Sequence, residues 1–216
     1  ANSHLTDQME SGLTRLFRAV LATAHWLNKN TIKGSKKNIE AHYDLGNQLF
    51  ETFLDPTLMY SSALFSNETT DLHNASIEKL DHICRKLHLC PTDHVLEIGT
   101  GWGGFAVHAA ENYGCKVTTT TISEEQYDHA VQLIRERGLS DQITVLKKDY
   151  RDLTGQYDKL VSIEMIEAVG HHYLDTYVNT LSERLKPNGL ALIQAITIVE
   201  QRYQLAVESV DFIKRY

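Results

Sequence analysis

Ten residues, Val95-Leu96-Glu97-Ile98-Gly99-Thr100-Gly101-Trp102-Gly103-Gly104, constrain this chain more than any other stretch. A short apolar run ends in clustered glycines, and FAVHAAENYG (105–114) behind it has helical spacing and a glycine in the C-cap place. A strand that passes through glycines into a helix brings free backbone N–H groups close to a ligand. The alternation continues downstream. KVTTTTI (116–122), QITVLKKD (142–149), KLVSIEM (159–165) and LALIQAITI (190–198) read as strands. Residues 123–138 and 173–186 read as helices, the first capped by Ser123 and the second stopped by Lys186-Pro187-Asn188-Gly189. Strands alternating with helices predict an α/β fold: a mostly parallel sheet with helices on both faces, and strands buried on both.

Upstream of the alternation the chain reads as a helical cap. Helices are expected over 8–29, over 39–54 up to a stop at Asp55-Pro56, and over 73–89. The expected organisation is a basic amphipathic helix and linker (1–37), a helical cap (38–90), a ligand-binding core (91–199) and the start of a further segment (200–216). That last segment is helical in pattern to Tyr216 with no stop signal, so the chain reads as C-terminally truncated.

The chain carries 21 Lys+Arg against 28 Asp+Glu, a net charge of −7, which argues against broad nucleic-acid binding. Residues 1–37 run the other way, with Arg15, Arg18, Lys29, Lys33, Lys36 and Lys37 against Asp7 and Glu10. No apolar run approaches the ~18 residues a membrane span needs, and no secretory leader is visible, so a cytoplasmic protein is expected. Cys84, Cys90 and Cys115 are too irregularly spaced for a disulfide framework or a zinc site. His171 and His172 read as loop residues, and no metal is expected.

The loop also satisfies G-x-G-x-x-G through Gly99, Gly101 and Gly104. A dinucleotide site wants an acid at the tip of the second strand, and VTTTTI ends without one. An acid followed by I-G-x-G-x-G, here Glu97 to Gly103, resembles motif I of S-adenosylmethionine-dependent methyltransferases. That cofactor is therefore favoured over NAD.

Further motifs resemble the cyclopropane-fatty-acyl-phospholipid synthase family. They are Asn38-Ile39-Glu40-Ala41-His42-Tyr43-Asp44-Leu45-Gly46-Asn47, Phe53-Leu54-Asp55, Tyr60-Ser61-Ser62-Ala63, Thr121-Ile122-Ser123-Glu124-Glu125-Gln126, Ser162-Ile163-Glu164-Met165-Ile166-Glu167-Ala168-Val169-Gly170 and Gln194-Ala195-Ile196. The resemblance runs from about residue 38 to 216 and implies a Rossmann-like class I methyltransferase fold with an N-terminal helical cap. It implies S-adenosylmethionine as cofactor and the cis double bond of an unsaturated phospholipid acyl chain as acceptor. Attack on the activated methyl leaves a carbocation, and a base, bicarbonate in the well-studied members, removes a proton as the ring closes. Tyr60, Ser61, Glu97, Gly99, Gly101, Gly103, Thr121, Ser123, Gln126, Tyr150 and Arg151 would line the cofactor pocket. Glu167, Gln194 and Ser62 would act at the reacting end, with Glu164 a neighbour that could equally hold the cofactor's amino group. His42 and Tyr43 would line the acyl cavity.

The chain departs from the family pattern at Ser62 (Cys), Ala168 (His) and Gln194 (His). The last change replaces a titratable bicarbonate partner with a neutral amide, which leaves a ring or a methyl branch open as product. The lipid reading gives the basic N-terminus a partner, the anionic membrane surface, with a homodimer left open. Competing readings are a methyltransferase of the same fold acting on a small amine, and a cofactor-binding fragment without activity.

Overall fold

A computed structural model describes residues 47–203. The helices expected over 8–29 and over most of 39–54 and 200–216, together with His42 and Tyr43, lie outside the described residues. The described residues up to Ile196 belong to one compact unit. The described residues beyond it fall in a second unit and carry a 3-10 turn, Glu200–Arg202.

The first described element is a helical turn, α1 (Asn47–Glu51). Helix α2 (Leu72–Lys86) starts where the Asp71 carboxylate caps the Asn74 N–H at 2.8 Å. Its Ala75, Leu80, Ile83 and Cys84 are buried at helical spacing. The alternating part follows as β1 (His94–Ile98), α3 (Gly104–Tyr113), β2 (Lys116–Thr121), α4 (Glu124–Glu136), β3 (Ile143–Lys147), β4 (Tyr157–Ile163), the short α5 (Ile166–Val169), α6 (Leu174–Arg184) and β5 (Leu185–Gln194). Gly114 ends α3 with φ +68°, and Ser123 caps α4 by accepting the Gln126 N–H, both as the sequence predicts.

The five strands pair in parallel in the order β3-β2-β1-β4-β5. The chain runs outward from β1 through β2 to β3, then returns to lay β4 on the other side of β1. This reversal opens a crevice at the carboxyl ends of β1 and β4, where ligands bind in such sheets. Side chains alternate across the sheet. Val95 and Val161 join the core under α2, α3 and α4. Leu96 and Leu160 join the opposite core with Tyr150, Tyr157, Tyr177 and Leu181.

Strand β2 buries four consecutive threonines, and each hydroxyl finds a partner. Thr118 pairs with His94 Nε2 (2.8 Å), Thr119 with Thr100 (2.7 Å), Thr120 with the Lys148 carbonyl (2.6 Å) and Thr121 with Gln126 (2.8 Å).

Burial on both faces does not hold for β5, where Leu190 and Ile193 are exposed on a strand that is at the edge of the sheet among the described residues. The strand also begins at Leu185 and ends at Gln194, not over 190–198. Lys186-Pro187-Asn188-Gly189 forms an irregularity inside the strand: the register jumps between Tyr157↔Leu185 and Lys159↔Leu190. Asn188 takes φ +68°, and a Cβ on Gly189 would meet the Asp158 carbonyl at 3.0 Å. A turn sequence thus becomes a bulge, where proline's missing N–H is tolerated.

Candidate active site

The glycine loop bends as its composition requires. Gly99, Gly101 and Gly103 have φ of +101°, +52° and +94°, a region disfavoured for other residues. The Thr120 carbonyl holds it to β2 by accepting the N–H groups of Gly99 (3.1 Å) and Thr100 (3.0 Å). Each glycine serves a different neighbour. A Cβ on Gly101 would meet nothing within 4 Å, so this is where the loop faces open space. On Gly103 it would touch the Ala130 methyl at 3.4 Å, so that position serves the approach of α3 to α4. On Gly104 it would lie 2.8 Å from the Thr57 carbonyl and 2.9 Å from Met59 Sδ. Gly104 therefore lets the 57–62 segment lie against the loop. Gly104→Ala is expected to cost about 1–3 kcal/mol through overpacking, read as a lower urea midpoint, and to weaken S-adenosylhomocysteine binding in calorimetry.

That segment is anchored by Asp55, which the sequence offered as a helix stop and as part of the Phe53-Leu54-Asp55 motif without a role of its own. Its buried carboxylate accepts from the Thr57 N–H (3.1 Å) and hydroxyl (2.8 Å), from Ser76 Oγ (3.2 Å), and pairs with His73 Nδ1 (2.9 Å). Burial pushes this carboxyl up, but the bonds from His73, Thr57 and Ser76 outweigh it and hold it below the usual range. Beyond it, Tyr60 completes an aromatic group that sequence reasoning missed. Its ring packs edge-on to Phe50 (5.3 Å), and Phe50 packs on Trp102 of the glycine loop (4.6 Å). Phe50 and Trp102 are buried, whereas Tyr60 is 47% exposed.

At the tips of β1 and β2 the expected residues come together. Glu97 is fully buried, with Oε2 lacking any hydrogen-bond partner among the described residues. Burial raises its carboxyl to about 8, opposed by the Thr119 hydroxyl and the Lys79 charge. Thr121 Oγ1 donates to Gln126 Oε1 and accepts the Ser123 N–H (3.1 Å), leaving the Gln126 amide Nε2 without a hydrogen bond among the described residues. After β3, Tyr150 packs into the core against Tyr177 (5.5 Å). The Arg151 guanidinium turns back onto Asp149, with Nε at 2.7 Å and Nη2 at 2.6 Å, between the rings of Tyr150 and Tyr173. Both side chains are held by the protein, so they shape the wall of the crevice.

Two carboxylates follow the carboxyl end of β4: Glu164, which meets the 57–62 segment and β5, and Glu167, which meets the backbone just after β5. Glu164 leaves the strand with φ +48°, and its N–H donates to the Gln194 carbonyl at 2.8 Å. Its Oε1 accepts from the Ser62 N–H (3.0 Å), the Ser62 hydroxyl (3.0 Å) and Gln194 Nε2 (2.7 Å). Its Oε2 makes no hydrogen bond among the described residues. Glu167 Oε1 accepts the Ile196 N–H, while its Oε2 is buried without a partner among the described residues. Ser62, Gln194 and Glu164 thus form one cluster with Glu167 beside it. Glu164, the weaker candidate by sequence, is the hub.

The open face at Gly101, the exposed Tyr60 ring, and the Gln126 amide and acid oxygens that find no partner among the described residues suit a ligand with hydroxyl, amino and cationic groups. These residues fit S-adenosylmethionine. The described residues, taken by themselves, do not fit bicarbonate. The donors that would hold a small anion, the N–H groups of Ser62 and Ile196 and the Gln194 amide, already serve the chain's own carboxylates. Among the described residues no cluster of three His, Cys, Asp or Glu could hold a metal, and no helix is long and apolar enough to cross a membrane.

The strand order, the switch-point crevice and the glycine loop beneath it define a class I S-adenosylmethionine-dependent methyltransferase fold. Within that class the chain belongs to the mycolic acid cyclopropane synthetase family, whose model matches residues 30–216. It is 39% identical to the cyclopropane-fatty-acyl-phospholipid synthase of Escherichia coli over 89% of this chain and 47% of that protein. It is 38% identical to the tuberculostearic acid methyltransferase UfaA1 of Mycobacterium tuberculosis over 84% of this chain and 44% of that one. The chain therefore spans about half the length of these relatives. Among solved structures, the M. tuberculosis cyclopropane synthase MmaA2 matches with TM-score 0.75 and 32% identity, over 79% of this chain and 60% of its own. The mycolic acid cyclopropane synthase CmaA1, complexed with SAH and CTAB, matches with TM-score 0.71 and 34% identity over 73% and 55%.

Proposed function

We propose that this protein transfers one carbon from S-adenosylmethionine to the cis double bond of an unsaturated phospholipid acyl chain. The observation that carries this reading is the Glu164–Ser62–Gln194 cluster at the carboxyl end of β4. When bound, S-adenosylmethionine supplies a methyl group activated on a sulfonium, which a double bond attacks to leave a cation on the acyl chain. The chain's residues then have three tasks: alignment, exclusion of water, and acceptance of a proton.

Gly99 and Gly101, with Thr121, Ser123 and Gln126, would hold the cofactor's amino-acid and ribose parts. The Tyr60 ring offers its negative face to the sulfonium. Glu164 Oε2 accepts a proton from the newly attached carbon, and the C–H electron pair closes the three-membered ring. Loss of a neighbouring proton from the same cation would instead leave an alkene that a reductant turns into a methyl branch. Both outcomes have support in the relatives, one named as a cyclopropane synthase and the other as a methyltransferase. Glu167 holds the backbone at Ile196 and so keeps Gln194 on Glu164.

The acceptor lies in a membrane, and the basic residues between Arg15 and Lys37 supply the charge to dock on its anionic surface from the cytoplasmic side.

The test is expression in cells rich in monounsaturated phospholipids, followed by mass spectrometry of the fatty acids. Acyl chains heavier by one CH₂ unit are expected, and fragmentation distinguishes ring from branch. Unchanged acyl chains from a chain that binds S-adenosylhomocysteine would overturn the acceptor reading.

A further inference from the structure

Lys79 lies on the apolar side of α2, between Ala75 and Ile83 at helical spacing, and is 4% exposed. A lysine is rarely buried so fully without a partner, because removing an ammonium from water is costly. Its Nζ donates to Ser61 Oγ at 2.6 Å. Three carboxylates from three different segments act on it: Glu164 after β4, Asp55 before the 57–62 segment, and Glu97 on β1. Burial outweighs their attraction and lowers the ammonium to about 8.

The position of this contact gives it consequence. Ser61 stands between Tyr60, which packs on Phe50, and Ser62, whose N–H donates to Glu164. The bond from Lys79 fixes the middle of that segment from below, while the aromatic rings and Glu164 fix its two sides. An ammonium donates to Ser61 and attracts the Glu164 and Asp55 carboxylates, with Glu97 joining them only once it ionises. A neutral amine keeps the stem but loses the attraction.

We propose that Lys79 is a positioning residue, holding Tyr60-Ser61-Ser62 against the glycine loop and Glu164 so that the cofactor pocket is complete only while its side chain carries its proton. This rests on the reading that Tyr60 and Ser61 border the cofactor. It does not depend on which acceptor is used.

The test is calorimetric binding of S-adenosylhomocysteine to the full chain from about pH 6.5 to about pH 9.5. Wild-type affinity is expected to fall about fivefold or more through pH 8, relative to Lys79→Arg, whose side chain stays charged throughout. The cofactor's own amino group titrates equally in both proteins and cancels in the ratio. Glu97 titrates in the same range and is coupled to the charge on Lys79, so the comparison is repeated in a Glu97→Gln background, where the step is expected to persist.

Lys79→Met is expected to bind about tenfold more weakly at every pH, with no step through pH 8. Ser61→Ala leaves the lysine in place but cuts its grip, so it too loses the step. The double variant is expected to be no weaker than Lys79→Met alone, the non-additivity of two residues acting as one unit.

A wild-type profile that parallels Lys79→Arg would overturn the proposal. So would a Ser61→Ala variant that keeps the step, or losses that multiply in the double variant. Ser61→Ala decides the matter if the Lys79 variants do not fold. Absence of binding at any pH overturns it as well. Normal pH-dependent binding with no modified acyl chains leaves it standing and removes only the acceptor reading.

Discussion

Glu164→Gln is expected to lower formation of the modified acyl chain by about two orders of magnitude or more, the scale of a lost general base. S-adenosylhomocysteine affinity should stay within a few-fold. The amide still fills the space between Ser62 and Gln194 but has no carboxylate oxygen to receive a proton. Glu164→Gly makes the sharper comparison. The backbone at 164 already has φ +48°, where glycine is at ease, so the fold should tolerate the change. It vacates the Ser62 N–H and the Gln194 amide, which now bond to Glu164 at 3.0 Å and 2.7 Å. A small anion then has donors to bind. Added bicarbonate is expected to restore activity to Glu164→Gly, to do nothing for Glu164→Gln, and to be dispensable for the wild type. Product analysis in carbonate-depleted buffer, with and without added bicarbonate, reads all three. A wild-type enzyme that stops when bicarbonate is removed would show that Glu164 is not the base.

The second large effect is on stability. Glu97 is fully buried, and burial raises its carboxyl from an ordinary value of 4.5 to about 8. In the unfolded chain it ionises at that ordinary value. The folded state therefore holds a proton that the unfolded state releases between about pH 4.5 and about pH 8. The stability this confers is complete below the unfolded value and is lost as pH rises through the folded one. Each tenfold difference in acidity between the two states corresponds to about 1.4 kcal/mol, so the loss is of order 3–5 kcal/mol. Urea midpoints of the wild type should fall across this interval, whereas those of Glu97→Gln, which has no proton to lose, should fall much less. Parallel curves for the two proteins would mean that Glu97 is ionised in the folded state. Lys79 acts in the opposite sense at higher pH. Its lowered value means that the unfolded chain holds the extra proton above about pH 8, so its contribution rises again there.

The residues that announced the fold did so through local rules. Val95 and Leu96 belong to a strand buried on both faces, so adjacent apolar residues mark it without any knowledge of neighbours. Ser123 and Gly114 cap helices through bonds to their own segments, and they sit where the sequence puts them. The glycine loop is legible for the same reason, since its positive φ angles are a property of a few residues close together in the chain. The cluster at Ser62, Glu164 and Gln194 was legible only in part. Its members are 102 and 30 residues apart in the chain, and motif order named Ser62 and Gln194 without revealing that Glu164 joins them. Lys79 did carry a signal, a charge inside an apolar helical stripe, but a stripe alone does not say which carboxylates lie opposite.

The order of residues was enough to set the alternation of strands and helices, the turn that opens the cofactor site, and the family to which these motifs belong. These depend on backbone preferences and on burial of one residue against its near neighbours. Three other features emerged only once the chain was folded. Arg151 turns back onto Asp149, the Lys186–Gly189 turn becomes a bulge within β5, and two glutamates take up the donors an anion would need. Each of these is a choice among partners brought together by folding. A charged group settles on whichever donor or acceptor lies within reach once water is excluded, and that is a property of the assembled sheet edge, not of any one segment.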